Sequence, residues 1–355
     1  MSASGPGPAL FARYPELAGR IPWRPLGDFP TPVERLEGLL PPAVELWVKR
    51  DDRSAPLYGG NKVRKLEFLL AEALARGATS VSTLGAYGSH HVLATAFYAR
   101  QAGLAPRAVV FPQPVTPHVL ETLLGDAALG VEFSVAGSLL GVPPRVLGER
   151  LRRGCHYLPP GGSSATGTLG YVTAAFELAD QIERGECPRP DRIYVALGSR
   201  GTAAGLEVGL ALAGLPTEVI AVRVVAAAIT SRRSTLGLAR RTEILIDPRL
   251  GMRGRRAEPR LRVDGRFLGP GYGHPTAAAK RAIEVAAGAG LHLEATYTGK
   301  AVAALLTDGE AGLLDGRKVL FWNTFSSVDL RHLLDRSPGP MALPPRLRRL
   351  FPDPG

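Results

Sequence analysis

Tyr58-Gly59-Gly60-Asn61-Lys62-Val63-Arg64-Lys65-Leu66-Glu67 is the stretch from which the rest of the chain can be read. It follows a strand-like run at residues 44–49 and a charged turn, Arg50-Asp51-Asp52-Arg53. Leu66, Leu69, Leu70, Ala73 and Leu74 then recur at helical spacing, so the stretch opens a helix. Two glycines let the backbone approach a bound group or take positive φ. Asn61 suits an N-cap, and the first free N–H groups of the helix face whatever sits there. Lys62 and Lys65 share one face of the first turn. Cations are unfavourable at a helix N-terminus, so the pair makes best sense with an anion bound between them. The plainer reading is a solvated basic face.

Lysine is scarce: only six of the 43 basic residues are lysines, at 49, 62, 65, 280, 300 and 318. In so arginine-rich a chain, lysine marks places where a guanidinium will not serve. A nucleophilic amine is one such place, because arginine effectively never deprotonates. A Schiff-base lysine with a phosphate-binding lysine beside it accounts for two of the six.

At 355 residues the chain can bury two sizeable cores. Its first twenty residues carry no apolar run of signal-peptide type, and the longest apolar run, near 219–229, is broken by Arg223 and too short to span a bilayer. Two cysteines, Cys155 and Cys187, form no disulfide framework, and no Cys/His cluster has zinc spacing, so no metal is expected. A cytoplasmic location is the expectation. The formal charge of +11 raises nucleic-acid binding, but the arginines concentrate at 232–262 and 346–349 without interleaved aromatics or a DNA-binding motif. No specific nucleic-acid or membrane partner is expected.

Beyond the opening stretch, strands and helices alternate. Residues 79–84, 107–111 and 131–135 read as strands; 92–102 and 117–129 read as helices. A run of small residues at 161–171 leads into a helix through 181. The strand at 192–197 runs straight into Gly198-Ser199-Arg200-Gly201-Thr202-Ala203-Ala204-Gly205 and a further helix. Small residues there let backbone N–H groups converge at a helix N-terminus, the physical form of a phosphate cup, although a tight turn would look alike. Residues 226–262 read as a basic helix followed by a solvated irregular excursion. Gly269-Pro270-Gly271-Tyr272-Gly273-His274-Pro275 is a loop before a helix at 277–287. Tyr297-Thr298-Gly299-Lys300 precedes another helix, and the strand at 318–323 ends in Thr324-Phe325-Ser326-Ser327. Alternation of this kind argues an α/β protein with parallel sheets and helices on both faces.

Taken together and in this order, Pro30-Thr31-Pro32, the Lys62 stretch, the 161–171 run, the 198–205 loop, the Tyr272 loop and Tyr297 to Lys300 resemble pyridoxal-phosphate enzymes of the tryptophan-synthase-β fold type. More narrowly, the chain resembles the family of D-cysteine desulfhydrase and 1-aminocyclopropane-1-carboxylate (ACC) deaminase. The resemblance implies two mostly parallel, helix-flanked sheets: residues 1–64 and 160–355 as a large cofactor-binding domain, and 65–159 as a small domain inserted within it, with the cofactor in the cleft. It implies pyridoxal 5′-phosphate as cofactor, a small amino acid as substrate and a homodimer. Lys62 would form the Schiff base and shuttle protons. Asn61, Lys65, Ser199, Arg200, Gly201 and Thr202 would hold the cofactor. Tyr297 would lie by its ring, and Thr298 or Thr324 would meet the pyridine nitrogen. Ser89, His90, His91 and Tyr272 would receive the substrate.

The chain also departs from the family pattern. His90 stands where Asn usually supports the cofactor's phenolic oxygen; Arg200 stands where glycine is usual; Asn323-Thr324-Phe325-Ser326 replaces His-Thr-Gly-Gly. ACC deaminases of the family tend to carry Glu after the tyrosine matching Tyr297 and Leu before the paired glycines. Here both positions are threonine, the desulfhydrase pattern. A hydroxyl does not hold the pyridine nitrogen protonated, which favours losing a good β-leaving group. The expectation is therefore a lyase that converts a D-cysteine-like amino acid to pyruvate, ammonia and sulfide. ACC ring opening, a specialised substrate, or a cofactor-binding protein with weak catalysis stand as the other readings.

Overall fold

The computed structural model describes residues 7–252, 258–335 and 337–351. These residues carry ten strands in two sheets and divide into two compact units. One unit comprises the chain up to Ile21, Pro25–Phe68 and Ser163–Val328. The other comprises Pro22–Arg24, Leu69–Gly162 and the segment from Asp329 onward.

The first unit holds a six-stranded sheet in the order β1-β2-β10-β7-β8-β9. Its strands are β1 (Val33–Arg35), β2 (Glu45–Lys49), β7 (Arg192–Leu197), β8 (Glu218–Arg223), β9 (Leu261–Asp264) and β10 (Lys318–Trp322). Only β1 runs antiparallel, with Val33 opposite Lys49; Lys318 pairs in parallel register with Glu45, and Val319 with Arg192. Side chains alternate between faces along a strand, and here both faces are apolar because both are covered. Tyr194 and Ala196 of β7 join Val48, Val222 and Phe321 against the helices Ala277–Gly288 and Thr298–Glu310. Ile193, Val195 and Leu197 join Trp322 and Ala221 against the helices Ala165–Glu183 and Gly201–Leu212. A parallel sheet buried on both faces reads as near-continuous apolar sequence, as β7 does.

The second unit holds four parallel strands in the order β5-β4-β3-β6: β3 (Ser80–Ala86), β4 (Ala105–Phe111), β5 (Glu132–Val135) and β6 (Cys155–Leu158). The helices His90–Gln101 and Pro117–Ala128 belong to it. Its core joins Tyr87, Val92, Val110 and Leu123 to Leu343 and Leu347 from the returning C-terminal segment. Boundaries at 64/65 and 159/160 were expected from the sequence; the division falls at Phe68/Leu69 and Gly162/Ser163. The α/β class, with mostly parallel helix-flanked sheets, is the expected one.

One local expectation is corrected in part. The basic helix expected within 226–262 is present, but the chain after it is not all irregular surface. Helix Arg232–Ile246 buries Thr235, Leu238, Ala239, Thr242 and Ile246, and Leu261–Asp264 adds a sixth strand to the sheet. Residues 253–257 of that segment lie outside the described residues. Within the charged turn, Asp51 and Asp52 are both buried. Among the described residues, no helix is long and apolar enough to cross a membrane, and both cysteines are free.

Candidate active site

Strand order reverses direction at β7: the chain moves outward to β8 and β9, then returns to place β10 on β7's other side. In open parallel sheets such a switch point, at the carboxyl ends of the strands, is where ligands bind. Here β7 runs into Gly198 and Ser199, β10 runs into Asn323 and Thr324, and β2 leads through the Asp51 turn to Lys62. Asn61 N–H donates to the Thr324 carbonyl (3.1 Å), which ties the start of the Lys62–Ala75 helix to the end of β10.

The Lys62 amine donates to Asn61 Oδ1 at 2.8 Å, and Asn61 Nδ2 donates to Thr202 Oγ1 at 3.2 Å. The Asn61 amide thus bridges the lysine to the glycine loop. Burial pushes the Lys62 ammonium down to about 8, against the opposing pull of the Glu294 carboxylate. Lys65 is only 1% exposed, which rules out the solvated-face reading. Burial, and then the neighbouring Lys62, hold it well below the ordinary lysine value. Two lysines crowded into a dry turn are what an anion would relieve.

The 198–205 loop supplies the complementary half. Ser163 Oγ donates to Ser199 Oγ (2.8 Å) and accepts from the Gly201 N–H (3.1 Å). A Cβ at Gly201 would stand 3.0 Å from Lys65 Nζ and 2.8 Å from Ser163 Oγ, so a side chain there would push both groups away from the loop backbone. Thr202 follows in the first turn of the Gly201–Leu212 helix. Arg200, its N-cap, has φ +81° and ψ −35°, and no other described non-glycine residue has positive φ.

Tyr272 and Tyr297 face each other with their hydroxyls 2.8 Å apart and their rings edge to face. Burial raises both phenols above their ordinary value. The two threonines proposed for the pyridine nitrogen differ in one respect. Thr298, 1% exposed, donates its hydroxyl to Glu294 Oε1 (3.2 Å) and accepts from the Glu294 N–H (3.0 Å), so its hydroxyl is committed to Glu294. Thr324 follows β10 beside Asn61.

In the second unit, Ser89 caps the His90–Gln101 helix, accepting from the Val92 N–H at 3.4 Å. His90 and His118 stack with ring centroids 4.8 Å apart and Nε2 atoms 2.7 Å apart, so one ring donates to the other. His91 Nε2 lies 3.2 Å from the Pro159 carbonyl and donates to it.

Sequence reading missed Ser163 and Glu294. Ser163 lay inside a small-residue run read only as punctuation. The signal for Glu294 was its position four residues before Thr298: its carboxylate accepts from the N–H groups of Thr296, Tyr297 and Thr298 (2.7–2.8 Å).

The donor set fits a phosphate ester that carries an aldehyde. Lys65 and Ser163 meet at Gly201 where a helix N-terminus opens, Ser199 joins through Ser163, and a lysine of lowered pKa stands one turn away. Residues 25–324 match the family model described as pyridoxal-phosphate dependent enzyme. The chain is 36% identical over 322 residues to the nocardicin C-9′ epimerase of Nocardia uniformis subsp. tsuyamanensis, covering 87% of this chain and 94% of that one. It is 33% identical over 321 residues to a D-cysteine desulfhydrase of Salmonella paratyphi A, covering 86% and 94%. A solved ACC deaminase homologue superposes with a TM-score of 0.77 at 29% identity, over 98% of this chain and all of that one.

Proposed function

The chain belongs to the family of pyridoxal-phosphate dependent enzymes, and from that premise we propose that it is a lyase removing a β-substituent from a D-cysteine-like amino acid. With water, D-cysteine would yield hydrogen sulfide, pyruvate and ammonia. The cofactor is pyridoxal phosphate, and its relatives include enzymes named as desulfhydrase and deaminase. When bound, it withdraws electrons from the substrate Cα.

The chain's own residues divide the remaining tasks. Lys62, with an amine titrating near 8, would hold the cofactor covalently and then take the α-proton at Nζ. Lys65, Ser163, Ser199, Gly201 and Thr202 would bind the phosphate, with Arg200 adding charge at the loop's edge. The raised phenols of Tyr272 and Tyr297 would keep their protons at neutral pH and could donate a hydrogen bond to the departing thiolate. Ser89, His90 and His91 would orient the substrate carboxylate, and His90 the cofactor's phenolic oxygen.

The observation that carries elimination over ring opening is the hydroxyl at the end of β10. The Thr298 hydroxyl is given to Glu294, which supports Thr324 as the residue that would meet the pyridine nitrogen. A threonine there gives a weaker electron sink than a carboxylate would, enough for a thiolate to leave but poor for opening an unactivated cyclopropane. Offering D-cysteine, L-cysteine, β-chloroalanine and ACC in parallel, with sulfide and 2-oxo-acid release followed, tests this. Turnover of ACC above every β-substituted alanine would overturn it.

The match to a named epimerase favours a second reading, in which the α-proton is removed and returned on the other face. The tyrosine pair could supply that second proton. Exchange of Cα–H for deuterium in heavy water, with stereochemical inversion and no 2-oxo acid, would select it. Cofactor binding with neither outcome would favour a specialised substrate.

A further inference from the structure

Arg64 shares a helical turn with Lys62 and Lys65, but its side chain leaves in another direction. At about 100° per residue it lies roughly 200° around the helix from Lys62. There it is buried, 1% exposed, with every guanidinium nitrogen engaged. Nε donates to both Asp51 oxygens (3.1 and 3.0 Å) and Nη2 to Asp51 Oδ1 (2.7 Å). Nη1 donates to Glu177 Oε2 (2.8 Å), and Nη2 also reaches Glu177 Oε1 and Thr31 Oγ1 (both 3.0 Å). Asp51 further receives Tyr171 OH (2.6 Å) and Trp322 Nε1 (2.7 Å), and Glu177 receives Lys49 Nζ (2.5 Å).

Two cations and two carboxylates are thus balanced between β2, β10, the Ala165–Glu183 helix and the lysine helix. The backbone repeats the grip. Gly60 N–H donates to the Asp51 carbonyl (2.9 Å), and the Arg64 carbonyl lies so near Gly170 that a Cβ there would come within 2.2 Å of it. Stability does not explain such a cluster, because the desolvation of buried charges roughly cancels their attraction. It does fix a rotation: a guanidinium held by two carboxylates cannot turn about the helix axis.

We propose that Arg64 is a positioning residue: clamped by Asp51 and Glu177, it sets the rotation of the helix's first turn so that Lys62, and not Lys65, presents its amine to the cofactor aldehyde. This rests on the reading above that Lys62 holds the cofactor and Lys65 its phosphate.

The test is a ratio. Pyridoxal phosphate condenses with a lysine amine with loss of water, borohydride fixes the linkage, and peptide mapping counts the label on Lys62 and Lys65. Arg64→Lys keeps the charge and loses the fork. A misplacement of about an ångström costs on the order of a hundred-fold at a positioned group, so the Lys62-to-Lys65 ratio is expected to fall by about ten- to a hundred-fold. The pH midpoint of labelling at Lys62 should also move from about 8. Leu178→Ala, buried on the same helix as Glu177, is the control: it should lower the melting temperature and leave the ratio alone. Should Arg64→Lys not fold, Glu177→Gln takes its place with the same expected fall. An unchanged ratio and midpoint in the folded variant would overturn the clamp. A wild-type label on Lys65 would instead remove the assignment beneath it, and the clamp with it.

Discussion

Replacing Arg200 by glycine should make the protein more stable while weakening its hold on the cofactor. Arg200 sits at φ +81°, ψ −35°, close to the strained γ-turn region that side chains avoid. Holding a non-glycine residue in such a region costs about 1–3 kcal/mol. Glycine removes that strain but loosens the unfolded chain, which gives back about 0.4–1 kcal/mol. The Arg200 side chain returns little, since its Nε reaches only its neighbour's carbonyl at a long 3.4 Å. The net gain spans about 0–2.6 kcal/mol and centres on about 1 kcal/mol, or roughly 2 °C for a body of this size. Thermal melts of the cofactor-free variant measure it, and a pyridoxal phosphate titration of the same sample measures affinity, expected to fall by about three- to tenfold for a partly exposed cation near the phosphate. A melting temperature at or below wild type would refute the strain. Unchanged affinity would remove Arg200 from the phosphate site.

Lys65→Ala should weaken pyridoxal phosphate binding by about 1.5–3 kcal/mol, ten- to a hundred-fold, because a charge-assisted contact is lost; equal affinity in a titration would withdraw Lys65 from the phosphate. Borohydride-trapped label on Lys62 should rise with pH through a midpoint near 8, since only the neutral amine reacts; a midpoint at the ordinary lysine value would refute the buried amine. Asp126 is buried, its carboxyl oxygens have no hydrogen-bond partner, and burial holds its pKa well above 3.8. The native state therefore keeps a proton that the unfolded chain has lost, and stability falls as pH rises above that value. Asp126→Asn should flatten this slope in melts taken from pH 4 to about 8; parallel slopes for variant and wild type would exclude it.

What could be read in the sequence was what neighbours along the chain decide. The strand at Arg192–Leu197 stands at its expected bounds, and the helix after it opens where a glycine loop puts it. Lys62 and Lys65 were conspicuous because lysine is rare, and Lys65 is indeed buried. The same rarity has a further cause at Lys49 and Lys300, both fully buried. Lys49 closes the ion cluster, and Lys300 donates to the Leu268 carbonyl (2.8 Å) of the loop that carries Tyr272. What escaped the sequence was set by distance. The role of Asp51 could not be read because its partners lie 13, 120 and 271 residues away. Leu261–Asp264 passed for surface because four residues with an exposed Arg262 carry too little pattern to announce an edge strand. Nor did the sequence show that the Thr298 hydroxyl is given to the Glu294 carboxylate, the contact that favours Thr324.

The place of β10 in its sheet also governs the order in which the molecule can be made. A ribosome releases β2 early and β7 much later, yet the two never touch, since Lys318–Trp322 lies between them and hydrogen-bonds to both. Until those residues emerge, Glu45–Lys49 and Arg192–Leu197 are two open edges with apolar faces, and Asp51 lacks the indole of Trp322. Unpaired edges of that kind recruit other chains. The four-stranded sheet is different, because it is drawn from the single stretch between Ser80 and Leu158. A nascent chain halted before residue 318 would therefore carry one sheet whose strands are all present and another split down its middle, and such fragments should aggregate through the gap that the last strand fills.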